Sequence, residues 1–155
     1  MDKQCTQIFG LGDDVTPSFY KMPLGYGGRA SSVVLSGTPV KRPEGQFLVD
    51  GEPYFGPTRK LDLEVEFAAF VGKPTKSGQP ITVQNAEDHI FGVVLMNDWS
   101  ARDIQAMEST PLGPINSKNF CTTVSPWVVT LDALEPYRTK TITPVSICPY
   151  FDPAS

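Results

Sequence analysis

Cysteine, histidine and positive charge are all scarce in this sequence, and each shortage removes a class of function. The three cysteines, Cys5, Cys121 and Cys148, are odd in number and widely spaced, with neither a CxxC pair nor a nearby histidine. That pattern argues against a disulfide framework and against a zinc site. Reduced thiols fit it best. Cys121, in NFCTTV, has no obvious base beside it and reads as a buried structural thiol rather than a nucleophile. Lysine and arginine number 13 against 17 acidic residues, for a formal charge of -4. With no basic stripe to neutralise phosphates, neither nucleic acid nor an anionic membrane is an expected partner. No apolar run approaches the roughly 20 residues of a membrane-spanning helix. The start, MDKQCTQIFGLGDD, also lacks the apolar core of a signal peptide. A cytoplasmic location is the resulting expectation.

Proline and glycine, by contrast, are plentiful: 15 and 13 of them cut the 155 residues into short segments, most of which look like strands. The length suits one globular domain with a substantial core. Ser31 to Ser36, Gln46 to Val49, Leu61 to Gly72, Phe91 to Met96 and Thr122 to Thr130 are the strand candidates, the last bent by Pro126. Asp50-Gly51 predicts a tight turn, because glycine accepts the positive φ that such turns require. Asn85 is placed to cap a short helix through Ile90. Ser100-Ala-Arg-Asp103 has capping-box spacing for a helix through Glu108. The expected fold is a β-rich mixed α/β domain with a few short helices.

One strand candidate is unusual. In LDLEVEFAAFVG, Asp62, Glu64 and Glu66 alternate with Leu61, Leu63, Val65 and Phe67, so on a single strand the acids share one face and the apolar residues the other. A row of like charges repels itself, so it forms either a solvated outer face or one wall of a cation site. Asp98 follows the apolar run Phe91 to Met96 and offers a third carboxylate to Glu64 and Glu66 from a second strand end. Clusters of oxygen ligands of this kind bind hard cations such as Mg²⁺ or Ca²⁺.

The segments LDLEVEFAAFVG and VVLMNDWSARDIQ resemble the paired signatures of the fumarylacetoacetate hydrolase superfamily, whose members act on 1,3-dicarbonyl and 2-oxo-acid compounds. The flanks MPLGYGGRASSVVLSGTPVKRPEGQ and PLGPINSKNFCTTVSPWVV are similar to the branch that hydrolyses fumarylacetoacetate itself, and the likeness covers Thr16 to Tyr137. The resemblance implies a β-roll or β-sandwich catalytic domain, present here in part. Residues 1–15 are a divergent N-terminal segment, 16–138 carry the partial catalytic domain, and 139–155 form a divergent tail expected to be poorly ordered. It implies Mg²⁺ or Ca²⁺ on Glu64, Glu66 and Asp98, with Thr122 at a second magnesium position. Tyr26, Arg102 and Gln105 match substrate-binding residues, and Lys118 matches a catalytic lysine near the leaving group. The implied reaction is metal-dependent hydrolysis of a carbon-carbon bond in a small 1,3-diketo acid, yielding fumarate and acetoacetate in tyrosine and phenylalanine catabolism, by a homodimer.

The chain departs from the family pattern at the water-activating base. The family carries its catalytic histidine and a substrate arginine before the PxGY motif, where this sequence has MDKQCTQIFGLGDDV, with neither residue type. Gly27 stands where a second family histidine is usual, and a fourth acidic metal ligand has no convincing counterpart, with only Asp13 and Asp14 nearby. The sole histidine, His89, matches a non-catalytic position and reads as structural or capping. Two rival readings follow: an acylpyruvase or oxaloacetate decarboxylase using the same metal face, or a non-catalytic metal-binding remnant that pairs with an intact homologue through an exposed sheet edge.

Overall fold

The computed structural model describes Gly25 and residues 27–139. Tyr26, Asp13, Asp14, Cys5, Cys148 and nearly all of the expected tail lie outside the described residues. In chain order the described elements are β1 (Val33–Leu35), β2 (Glu44–Val49), β3 (Glu52–Pro57), β4 (Leu61–Asp62), β5 (Val65–Val71), β6 (Ile90–Asp98) and β7 (Ser100–Ala101). They continue with α1 (Arg102–Leu112), α2 (Asn116–Asn119), β8 (Thr122–Val124) and α3 (Leu131–Leu134). One four-stranded sheet has the order β1-β8-β6-β5, with β1 parallel to β8 and the other neighbours antiparallel. Two smaller ladders, β2 with β3 and β4 with β7, flank it.

The β2-β3 hairpin forms where expected. Asp50 and Gly51 both have positive φ, at 54° and 86°, as a two-residue hairpin turn demands. Phe47 meets Tyr54 edge to face at 5.4 Å, and the Arg59 guanidinium lies over both rings. Behind the hairpin, Phe47, Ala101 and Ile104 form the buried apolar cluster, with Val49 and Phe120 against it. Gly45 is required there, because an added Cβ would stand 2.7 Å from Ile104 Cδ1.

Several local expectations are corrected. LDLEVEFAAFVG is two strands in different sheets, broken at Leu63-Glu64. At the break the Glu64 N–H donates to Asn97 Oδ1 at 3.0 Å, so a side-chain amide takes a bond that a continuous ladder would have used. Ser100 does not cap α1; it lies in β7, and its hydroxyl donates to Glu64 Oε1. Asp103 instead accepts from the Ile104 and Arg59 N–H groups and from the Thr58 hydroxyl. Asn85 makes no cap either, and that segment forms two short 3₁₀ turns, Val83–Asn85 and Glu87–His89. The helix α1 is interrupted at Thr110, which takes extended angles because the following Pro111 disfavours helical backbone before it. The final strand candidate is shorter than predicted: β8 stops at Val124, two residues before Pro126, and only Val129 pairs again, with Val93. Ser31 begins in a 3₁₀ turn, and β1 starts at Val33.

Candidate metal centre

The break between β4 and β5 places Glu64 beside the end of β6. The Asp98 N–H donates to the Glu64 carbonyl at 3.0 Å, tying the two acids together through the backbone. Glu66, two residues into β5, pairs in register with Met96, two residues before Asp98. One carboxylate oxygen from each of Glu64, Glu66 and Asp98 can be chosen so that all three lie within 4.8 Å of one another. The distant segments singled out in the sequence therefore do converge.

Two cations neutralise this cluster from below. Lys118, only 4% exposed, sets its ammonium 2.7 Å from Glu64 Oε2 and 3.0 Å from Asp98 Oδ2. Arg102 approaches from the start of α1, with Nη2 2.6 Å from Glu64 Oε1 and Nε 2.9 Å from Asp62 Oδ2. It does not pair with Asp103 or Glu108, the bland alternative that its sequence neighbours allow, and Lys118 is not a solvated loop charge. Gln105, buried one turn along α1, accepts from Arg102 Nη1 through Oε1 at 3.2 Å, so the two polar residues do share a helix face.

The electrostatics divide the acids. Burial works to raise the Glu64 carboxyl, but the Lys118 bond and charge, Arg102 and the Ser100 hydroxyl together hold it below the ordinary range. Glu66 moves the other way: burial and the charges of Asp98 and Glu64 push it up, against the pull of Lys118. Glu66 thus gives up its proton at a higher pH than an ordinary glutamate does. A divalent cation supplies positive charge to such a cluster, and an all-oxygen donor set suits a hard ion, so these residues fit a divalent metal.

Thr122 pairs directly with Asp98 across β8 and β6. Both line a cavity of about 350 Å³ with Lys118, Asn119, Met96 and Arg29. Cys121 is buried, consistent with a structural thiol. His89 immediately precedes β6, whose eight residue steps set Ile90 about 27 Å from Asp98 at the usual rise of a strand, and its Nδ1 meets the Lys73 carbonyl at 2.9 Å. It is placed to hold a turn. Asp62, Asn97, Ser100 and Glu108 were not assigned to the site from sequence, although Asp62 stands in the acidic row. Asp62, Asn97 and Ser100 act through contacts between segments 33 to 40 residues apart, and Glu108 through contacts seven to nine residues away, which no local pattern announces.

A carboxylate cluster at the ends of β5 and β6, backed by buried Lys118 and half-buried Arg102, is of a kind that fits a divalent cation. The fumarylacetoacetate hydrolase C-terminal family model matches residues 8–145, and the chain belongs to that family. It is 58% identical over 149 residues to a fumarylacetoacetase of Aspergillus fumigatus, covering 91% of this chain and 35% of that protein. It is 57% identical to the Arabidopsis thaliana fumarylacetoacetase, covering 87% of this chain and 33% of that protein. To the Rattus norvegicus fumarylacetoacetase it is 53% identical, covering 83% and 31%. The chain thus spans about a third of the length of the curated relatives it matches.

Proposed function

We propose that this chain provides the metal-binding part of a fumarylacetoacetase, which hydrolyses a carbon-carbon bond of a small 1,3-diketo acid to give fumarate and acetoacetate. The observation that carries this reading is the convergence of Glu64, Glu66 and Asp98 within 4.8 Å, backed by Lys118 and opening on a cavity beside Thr122. Mg²⁺ or Ca²⁺ held by the three carboxylates would polarise the diketone and stabilise its enolate. Thr122 would serve a second magnesium position. Lys118 would stabilise or protonate the carbanionic fragment as it departs, a reading supported by its ammonium lying 3.0 Å from Asp98 in the carboxylate cluster. Arg102, steadied by Asp62 and Gln105, would present its fork to a substrate carboxylate, with Gln105 and Tyr26 completing that polar end. The working unit in this reading is a cytoplasmic homodimer.

Calorimetric titration with Mg²⁺ and Ca²⁺, followed in the same sample by loss of fumarylacetoacetate absorbance, tests the proposal. Binding with turnover is the expected result for a complete catalytic unit. Binding without turnover would restrict the chain to holding the metal. No binding, or an Asp98→Ala variant with unchanged Mg²⁺ affinity, would sink the metal assignment. Release of carbon dioxide from a 2-oxo acid would move the chain to the decarboxylase branch.

A further inference from the structure

Lys118 is buried beside the carboxylates, yet it rides on α2, a single turn of helix that has little stability of its own. The first N–H groups of such a turn have no partner within it and must find acceptors elsewhere. One side chain supplies them. Glu108, near the end of α1, accepts from the Ile115 N–H at 2.9 Å and the Ser117 N–H at 3.1 Å through Oε2, and from the Asn116 N–H at 3.1 Å through Oε1. Both carboxylate oxygens are thus engaged by the segment leading into Lys118.

We infer that Glu108 is the positioning residue of the site: its carboxylate clamps residues 115–117 and so fixes where the Lys118 ammonium meets Glu64 and Asp98. The catalytic meaning of that position rests on the function proposed above; the clamp itself does not. Arg102 and Glu108 are both on α1, so one helix sets both cations that flank Glu64, the first directly and the second through the turn. Ionisation supports the same picture. Burial would raise the Glu108 carboxyl, but the backbone donors hold it below the ordinary range, which keeps it an acceptor at neutral pH. Glu108 had no role assigned from its sequence position. Its role exists only because α1 and α2 pack side by side.

The test compares the full chain with Glu108→Ala and Glu108→Gln by timed acylation with an amine-selective reagent, mapped to individual lysines by peptide mass. Thiol labelling of Cys121, three residues beyond Lys118, runs in parallel as a measure of general loosening. Release of the clamp should raise the Lys118 labelling rate at least about tenfold in Glu108→Ala, through local opening of the turn. Glu108→Gln keeps one acceptor oxygen and should give a smaller rise, of about threefold. Cys121 labelling should change by less than about twofold if only the clamped turn opens. Unchanged Lys118 labelling in both variants overturns the inference, as does Cys121 labelling that rises in step with Lys118. If Glu108→Ala fails to fold, the same two rates in Glu108→Gln decide. The assay needs neither metal nor substrate, so its failure would leave the proposed hydrolase untouched, and failure of that function would leave the clamp standing.

Discussion

The two ends of β6 are built on different principles. At the Asp98 end, Glu64, Asp98, Lys118 and Arg102 are knit by ion pairs of 2.6 to 3.0 Å, and Ser100 and Gln105 are buried beside them. Toward the Ile90 end, Phe91 is 61% exposed, and Val71, which pairs with Ile90 from neighbouring β5, is 70% exposed. Among the described residues the buried apolar side chains are few, and most sit between the β2-β3 hairpin and α1. The position of the site thus depends on charge and on one small hydrophobic cluster, whereas the far end of the sheet adds ladder hydrogen bonds but little apolar burial.

That contrast can be broken at either end. Lys118→Met should have the largest effect: removing the buried cation takes the ion pair from Asp98 and leaves Glu64 with Arg102 alone, and should lower stability by about 3–5 kcal/mol, read from denaturant unfolding without metal. A loss below about 1 kcal/mol would mean that solvent already screens the cluster. Ile104→Ala should follow at about 2–4 kcal/mol, because it empties the centre of the Phe47-Ala101-Ile104 cluster against Gly45.

Asp103→Asn sharpens the comparison through pH. Burial would raise Asp103, but the Thr58 hydroxyl and the Arg59 and Ile104 N–H groups lower it below its ordinary value of 3.8. A depressed carboxyl contributes stability that is present above that value and lost as pH falls through the lower folded one. The parent chain should therefore lose thermal stability more steeply below about pH 4 than Asp103→Asn, which should itself be weaker at neutral pH by roughly 1–2 kcal/mol. Parallel acid profiles for the two proteins would remove Asp103 from the account. At the far end, Val71→Thr should change stability by less than about 0.5 kcal/mol, since the side chain is mostly in solvent. A larger loss would mean that the apolar end is covered in solution.

The legible features of the sequence were those whose cause is local. The Asp50-Gly51 turn, the strand character of residues 46–49 and 65–71, and the helix after Ser100 all follow from backbone preference and short-range pattern. Glu64, Glu66 and Asp98 could be named from their pattern and the family motifs together, and Lys118 from the family motif alone. The failures share a different cause. Ser100 was expected to cap a helix and instead bonds Glu64; Asn85 was expected to cap and does not; Glu108 was given no role and holds a loop. In each case a polar side chain had several potential partners, and the nearest one in sequence did not win.

By itself the sequence determined the strand-rich class, the positions of turns and the supply of acids and cations, because φ/ψ preference and side-chain alternation act over a few residues. Only the tertiary structure decided that LDLEVEF would break at Glu64, that Arg102 and Lys118 would both close on that one carboxylate, and that Leu63, Val65 and Phe67 would be exposed. Those outcomes depend on which distant donor reaches which acceptor first in a folded chain, and Coulomb attraction and hydrogen-bond geometry settle that at distances of about 3 Å that no spacing along the chain encodes.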